Sequence, residues 1–498
     1  FVPLMLSNSI NKLIKNKQMK RLFTIILISI FAIFQANAQE LTQVIRGNIA
    51  DKESKFPLIG VNVIVKSEDG NTIGAVTDID GNYRLDKVSL GRQTIVFTYI
   101  GYKEVTLDNV ITTSAKEVIL NLEMVESISE LGTVEVVASK EQEVRNEMAT
   151  VSAKTVTVEE TGRYAGSLND PARSVSAFAG VVGDAEGSND IVVRGNSPRG
   201  ILWRLEGIEI PNPNHFANEG STGGPVNTLN ASMLSNSDFF SGAFAPEYGN
   251  ALSGVMDMKL RTGNYEEREY TLGIGVLGTD ITLEGPFKKG GKSSYVANYR
   301  YSSLALLDNA GIVDFGGVPK YQDAAFKLHF PTKKLGTFSA FGLGGYSEIL
   351  DETFTENEDT LLSKEDYSTQ LGVIGVSNLF FLDDKTFIDS KISFSNKGSG
   401  ANYSEADSNQ VLENVYNDNL NKNAIKISSS FNRKINAKNR MEIGLIYTKE
   451  FFNFMAENLN ENTNNFEPEI DEKGNTGYIQ AYTSWKHRVN ENITLVGG

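Results

Sequence analysis

From residue 265 to residue 498 apolar and polar side chains alternate with a period of two, and nothing else in the chain constrains its fold as strongly. Ile425, Ile427, Ser429 and Phe431 fall on one side of an extended chain, with Lys426, Ser428, Ser430 and Asn432 on the other. Ile388, Ser390, Ile392 and Phe394 oppose Asp389, Lys391, Ser393 and Ser395 in the same way. Met441, Ile443, Leu445 and Tyr447 oppose Glu442, Gly444 and Thr448, with one exception at Ile446. A strand with one apolar and one polar face separates an oily environment from a watery one.

The spacing of the connections narrows the choice further. Short turns near 285–292, 331–336, 382–386, 435–440 and 488–492 alternate with long polar segments at 306–320, 350–366, 404–422 and 457–475. An antiparallel barrel crossing a membrane has this asymmetry, with short turns at one rim and long loops at the other, whereas a soluble sandwich has no cause for it. The segment 351–366 holds seven acidic residues and one lysine, which reads as a solvated loop. The pattern gives nine strands and the start of a tenth, against about 22 in barrels filled by their own globular domain. The chain also stops at Val496, Gly497 and Gly498 inside a strand pattern, so residues 265–498 read as the N-terminal part of a truncated barrel.

Composition excludes several classes of function. A formal net charge of −15 argues against nucleic acid as a partner, because phosphate binding needs concentrated positive charge. With no cysteine the chain has no disulfide, thiolate metal site, thiol nucleophile or acylated lipoprotein cysteine. Three histidines leave little for a zinc enzyme, and none precedes His215. Neither a catalytic constellation, a metal site nor a cofactor motif emerges. The length favours two or three domains.

Met19, Lys20 and Arg21 precede an apolar run from Leu22 to Phe34 and then Ala36-Asn37-Ala38, the pattern of a secretory signal peptide over 19–38 cleaved after Ala38. The run has 13 residues, short of the roughly 20 that a helical span requires. Residues 1–18 read as an upstream extension.

Residues 42–124 hold short β-branched runs separated by Gly and Asp turns, which reads as a small β-sandwich. Glu68-Asp69-Gly70-Asn71 and Thr77-Asp78-Ile79-Asp80-Gly81-Asn82-Tyr83 look like hairpin turns. The second also has half the pattern of a calcium loop, but an acidic ligand is missing at its twelfth position, Ser89, and the hairpin is the better reading. Gly47-Asn48-Ile49-Ala50-Asp51, Pro57 to Val63, the TDIDGNYRL stretch and Tyr99 to Tyr102 resemble the carboxypeptidase-regulatory-like domain. That resemblance implies a carbohydrate-binding-like sandwich of the sort that precedes TonB-dependent receptors in Bacteroidetes-type bacteria, without peptidase activity.

A linker follows at 125–145, charged at both ends, with a β-prone island at Leu131 to Ala138. Thr133, Val134, Glu135, Val136, Val137 and Ala138 resemble the TonB box, a strand that adds to the edge of a partner's sheet. The same residues also suit the first strand of the following domain; their position between two domains favours the box.

Residues 146–262 mix helix-compatible stretches with short strands and read as an α+β domain. Phe178 to Val182, Ile191 to Gly195, Leu205 to Ile210, and Glu247-Tyr248-Gly249 followed by Ser253 to Met258 resemble, in order and spacing, the plug of TonB-dependent receptors. Its motif residues here are Arg194, Gly195, Glu206, Gly207, Glu247, Tyr248 and Gly249; Glu206 departs from the family's usual aspartate. Arg194, Glu206 and Glu247 read as structural, since a plug in a polar lumen is held by ion pairs and hydrogen bonds. The resemblance places the loops 196–200 and 211–225 at the plug apex, which makes Asn214, His215 and Phe216 candidates for ligand contact.

The fold class expected is therefore multidomain: a β-sandwich, an α+β plug and a partial antiparallel transmembrane β-barrel of about ten of about 22 strands. The function implied is TonB-dependent import across the outer membrane of a Gram-negative cell. Its partners would be TonB, a small-molecule, glycan or peptide ligand and a surface lipoprotein. The alternative is an adhesin or glycan-binding barrel that does not transport.

Overall fold

The computed structural model describes residues 42–67, 72–114, 116–128, 153–156, 158–163, 165–167, 169–183, 188–217, 220–221, 223–275, 278–309, 319–355 and 360–498. The signal-peptide segment, residues 1–18, the Glu68 to Asn71 turn and the TonB-box candidate Thr133 to Ala138 lie outside the described residues. The chain divides into two compact units, one around 42–49, 59–97 and 107–122, the other holding 123–498 with 50–58 and 98–106.

The N-terminal strands are β1 (Thr42–Asp51), β2 (Asn62–Ser67), β3 (Thr72–Val76), β4 (Asn82–Ser89), β5 (Gly91–Thr98), β6 (Val105–Thr112), β7 (Val118–Ile119) and β8 (Leu122–Met124). They form one sheet of order β4-β1-β7 with β8 also on β1, and a second of order β3-β2-β5-β6. Alternate residues point inward: Ile45, Ile49, Val63, Val65, Leu85, Ile95 and Phe97 are all buried, and Tyr83 meets Phe97 edge-on across the sheets, centroids 5.8 Å apart. Gly47 is required because a Cβ there would sit 1.7 Å from the Leu120 carbonyl oxygen. The Asp78 turn differs from a hairpin in one respect: it hands the chain from β3 in one sheet to β4 in the other. Asp78 Oδ1 accepts from the backbone N–H groups of Asp80 (2.9 Å) and Asn82 (2.8 Å), and Gly81 takes φ 75°.

The next domain comprises β9 (Ala153–Val156), α1 (Val158–Arg163), α2 (Pro171–Ser174), β10 (Val181–Gly183), β11 (Ile191–Val193), β12 (Ile201–Leu205), β13 (Ile208–Glu209), β14 (Asn214–His215), β15 (Val226–Asn227), β16 (Ser237–Phe240) and β17 (Gly254–Met258). Its main sheet has order β13-β12-β17-β16-β9, flanked by the hairpins β10-β11 and β14-β15. Every residue of β12 is buried, so this strand reads as a continuous apolar run broken only by Arg204. The core of Trp203, Leu205, Met256 and Met258 continues into Val296, Phe341, Leu343 and Val373 on the sheet that follows.

That sheet has eleven strands in sequence order, all antiparallel: β18 (Glu269–Ile274), β19 (Gly278–Pro286), β20 (Ser294–Ser302), β21 (Lys320–Pro331), β22 (Thr337–Phe354), β23 (Leu361–Asp383), β24 (Thr386–Ala406), β25 (Leu412–Asn436), β26 (Asn439–Asn460), β27 (Asn465–Arg488) and β28 (Thr494–Gly497). Helix α3 (Ser303–Asn309) follows β20. The count exceeds the sequence expectation because β18 and β19 are two strands, joined by a tight connection in which the Gly275 N–H donates to the Gly278 carbonyl at 3.0 Å. Outward residues such as Ile374, Ile392, Ile427, Leu445 and Ile479 are exposed, whereas inward Val373, Ser393, Ala424 and Thr448 are buried.

Three polar segments expected as long loops are, among the described residues, strand for most of their length. Leu350 pairs with Asp366, Asn402 with Asn417, and Glu457 with Pro468. Above the apolar band both faces meet water, so apolar alternation disappears from the sequence while backbone pairing continues. Among the described residues no helix is long and apolar enough to cross a membrane, which says nothing of spanning by strands.

Candidate functional site: a polar plug seated on a strand wall

Two tight turns present the plug's motif residues. Arg194 and Gly195 (φ 50° and 78°) connect Val193 to Asn196, and Glu206 and Gly207 (φ 54° and 76°) connect Leu205 to Ile208. Consecutive positive φ values define the type I′ turn, in which the second position favours glycine and the first tolerates Asn or Asp best. Glu206 is therefore the less favoured residue locally, and its gain is reach. Its two carboxylate oxygens each accept from Lys327 Nζ on β21 at 2.9 Å, and one also accepts from the Leu260 N–H at 2.7 Å. An aspartate would stop a methylene short.

Glu247, Tyr248 and Gly249 assemble around a residue not singled out in the sequence, Arg204. Both its terminal nitrogens lie 3.2 Å from Glu247 Oε2, one donates to the Gly207 carbonyl at 2.6 Å, and its guanidinium stacks over the Tyr248 ring at 4.7 Å. Tyr248 donates to Asp257 Oδ2 at 3.3 Å. Glu247, Asp257 and Tyr248 favour the charged guanidinium strongly enough to outweigh its burial. Gly249 marks close approach to the wall, for a Cβ would lie 2.7 Å from Gln480 Nε2. Arg194 packs over Gly242 and donates its N–H to the Gly180 carbonyl at 2.8 Å. The sequence signal for Arg204 was a lone cation inside an otherwise apolar strand, which is costly unless paired.

The three candidates for ligand contact, Asn214, His215 and Phe216, are held by wall and loop contacts. His215 is 2 % exposed; its Nε2 lies 3.1 Å from Asp323 Oδ2, and its ring packs on Tyr321 with centroids 4.8 Å apart. Arg300 completes the group by donating to the same Asp323 oxygen at 2.9 and 2.7 Å. Burial holds the His215 imidazole below its usual pKa against the opposing pull of Asp323. The Phe216 N–H lies 3.1 Å from both Ser347 Oγ and Thr369 Oγ1, at φ 56°. Asn214 joins a buried chain of amides: Asn189 Nδ2 donates to Asn214 Oδ1 at 2.7 Å and to Asp170 Oδ2 at 2.6 Å, and Asn214 Nδ2 donates to Asn212 Oδ1 at 2.5 Å. Asp170 also caps α2 by accepting from the Ala172 N–H at 2.8 Å. Burial raises its pKa, partly offset by these hydrogen bonds. The amide partners of Asp170 are remote in sequence and carry no local signal.

The seat is electrostatically complementary. The plug offers Glu206 and Glu209 where the wall offers Lys327 and Lys426, the latter pair at 3.2 Å. Lys397 reaches the Asn212 carbonyl at 3.4 Å, and Gln480 donates to Asn250 at 3.1 Å. Chemically the arrangement holds a folded domain against the wall through an apolar contact ringed by charge pairs and hydrogen bonds that water can replace.

Comparison with known proteins agrees with this architecture. The profile of the CarboxypepD_reg-like domain matches residues 45–137. The TonB-dependent receptor SusC of Bacteroides thetaiotaomicron is 35% identical over 89 residues, 18% of this chain and 8% of that protein. The pyoverdine outer membrane receptor FpvA of Pseudomonas aeruginosa PAO1, in a structure bound to pyoverdine, is similar in fold, with TM-score 0.50 at 13% identity over 69% of this chain and 55% of that chain. The chain thus spans about half the length of that receptor. It carries a carboxypeptidase-regulatory-like domain followed by a plug and barrel strands with the fold of TonB-dependent outer-membrane transporters.

Proposed function

We propose that this protein imports a scarce nutrient across the outer membrane of a Gram-negative cell, after export directed by residues 19–38. The observation that carries this reading is the seat itself: a folded domain set against a strand wall by an apolar contact around Phe341 and by paired charges such as Glu206 with Lys327 and Glu209 with Lys426. Paired charges suit a domain that must loosen and return, because they fix its register while water can take the place of each partner.

Ligand meets the outer strand extensions and the apex loops 196–200 and 211–225, and the segment Thr133 to Ala138 then pairs with the edge of a TonB sheet. Asn214, His215 and Phe216 serve by fixing one apex loop to the wall. The ligand is an iron chelate, haem, a corrinoid, an oligosaccharide or a peptide. A surface lipoprotein partner would cover the outer face.

The test is accumulation of a panel of these ligands in cells expressing the full protein, with and without collapse of the proton gradient. Import predicts that accumulation of one ligand falls to the level of surface binding when the gradient collapses. Retention that ignores the gradient would establish the adhesin reading in its place.

A further inference from the structure

At the short-turn end of the wall three cations stand side by side on the inward face. Lys434 of β25 lies opposite Arg440 of β26, and Arg440 lies opposite Lys486 of β27. Lys434 and Arg440 are buried, as is Arg488 just beyond Lys486. Like charges on neighbouring strands repel, so a buried row of this kind needs carboxylates brought to it. Glu442 of β26 lies 3.6 Å from Arg440. Three more come from segments that precede the plug in the chain. Asp51 and Glu126 both pair with Lys434, the latter at 2.8 Å, and Glu53 lies 3.3 Å from Lys486. Tyr102 donates its hydroxyl to Asp51 Oδ2 at 2.8 Å, and Arg488 donates to the Glu126 carbonyl at 2.8 Å. Phe56 meets Phe381 of β23 edge-on, with centroids 5.6 Å apart. The segments 50–58, 98–106 and 123–128 are thereby clasped to the wall and form one compact unit with it.

The last link of this clasp is Ile128, whose N–H donates to Glu491 Oε1 at 2.8 Å; Lys103 pairs with the other oxygen of Glu491 at 2.5 Å. Glu491 stands in the connection from β27 to β28, and Ala153, the first residue of β9, packs against the same apolar cluster as Val496 of β28. The clasp and the start of the plug are thus anchored on one stretch of wall. The TonB-box candidate divides the chain between these anchors unequally. Eight residue steps lead back from Val136 to Ile128, and seventeen lead on to Ala153. At about 3.4 Å per step the first arm is taut at about 27 Å and the second at about 58 Å.

We infer that the clasp is a latch that yields before the plug: a pull on Thr133 to Ala138 is borne first by the contacts of Asp51, Glu53, Glu126 and Ile128, and reaches β9 only after these have left the wall. Charge pairs suit such a latch, because water and counterions can take over each partner once the segments move and the same pairs can form again. The inference rests on the reading of Thr133 to Ala138 as the segment that TonB grips.

The test pulls single molecules of the full protein, reconstituted in a bilayer, through a cysteine at Val136→Cys coupled to the tip of a force microscope; the chain has no other cysteine. The expected trace has one early rupture, about 30 Å of slack and then the unfolding events of the plug. Lys434→Gln, which leaves Asp51 without its cation, should lose the early rupture and keep the plug events at unchanged force. Inserting about eighteen Gly and Ser residues after Ser129 leaves every clasp contact in place but makes the first arm the longer one, and the plug events should then come first. Plug events ahead of any rupture in the wild type overturn the latch, as does an early rupture of equal force in Lys434→Gln or an order of events that the insertion does not reverse. A second series with the C-terminal domain of TonB on the tip tests the grip separately. Failure to adhere sinks the TonB-box reading while the cysteine handle still decides the order of release, whereas adhesion with plug events first sinks the latch alone.

Discussion

The sandwich and the plug are held together in different ways. The sandwich hides alternate aliphatic and aromatic residues between two sheets, and among its described residues Arg46 is the one buried cation, bonded to Glu117 at 2.5 Å. The plug's apolar centre runs into the wall through Phe341, Leu343 and Val373, and around it the plug meets the wall with polar and charged contacts such as Glu206 with Lys327 and Glu209 with Lys426. Apolar contact is non-directional and strong in sum, and it suits a layer that stays closed. Charge pairs and hydrogen bonds fix one geometry and exchange with water at little net cost, which suits a domain that must leave its seat.

If that contrast is sound, the two domains should fail differently. The largest effect is expected in the sandwich: Phe97→Ala removes a fully buried ring packed on Tyr83 and should cost about 3–5 kcal/mol. Hydrogen exchange across 42–112 should rise sharply while the plug's exchange does not change. Next in size, Lys327→Met leaves Glu206 nearly buried without its cation, and the seat should weaken by about 3 kcal/mol. Protease cleavage within the plug would then accelerate, and adding Glu206→Gln should restore much of the protection. If the single and double variants were equally sensitive, the ion pair would have no part in the seat.

Acid should loosen the seat more gently. Burial lowers the pKa of His215 in the folded state, so the unfolded chain binds more protons between that value and about 6.5. Stability from this group is full above about 6.5 and declines as pH falls below it, by at most about 1.4 kcal/mol per pH unit. Plug protection measured at pH 7.5 and 5.5 should differ in the wild type and differ less in His215→Gln. The smallest change is Glu206→Asp, which improves the turn and shortens the reach to Lys327. These oppose one another, and the net loss should be under about 1 kcal/mol, read as a slight rise in plug cleavage.

Much of this was legible in the sequence, for a physical reason. Alternation such as Ile425, Ile427, Ser429 and Phe431 exposes a two-faced strand directly, and Glu206-Gly207 and Arg194-Gly195 announce turns through glycine at the second position. What remained hidden depends on partners distant in the chain. Nothing near His215 reveals Asp323, and nothing near Asp170 reveals Asn227, whose Nδ2 donates to it at 3.2 Å. The outer strand extensions were hidden because polar sequence above the apolar band resembles loop although its backbone is paired.

The proposal that matters most is that the segment Thr133 to Ala138 engages TonB. The chain contains no cysteine, so single cysteines can be placed at each position from 131 to 140 and tested in cells for disulfide formation with a TonB carrying one cysteine at its sheet edge. A paired strand predicts cross-links that alternate along 133–138, increase when ligand is supplied and vanish in Val136→Pro, which lacks the N–H needed for pairing. Uniform absence of cross-links across the segment, with transport intact in Val136→Pro, would contradict the account.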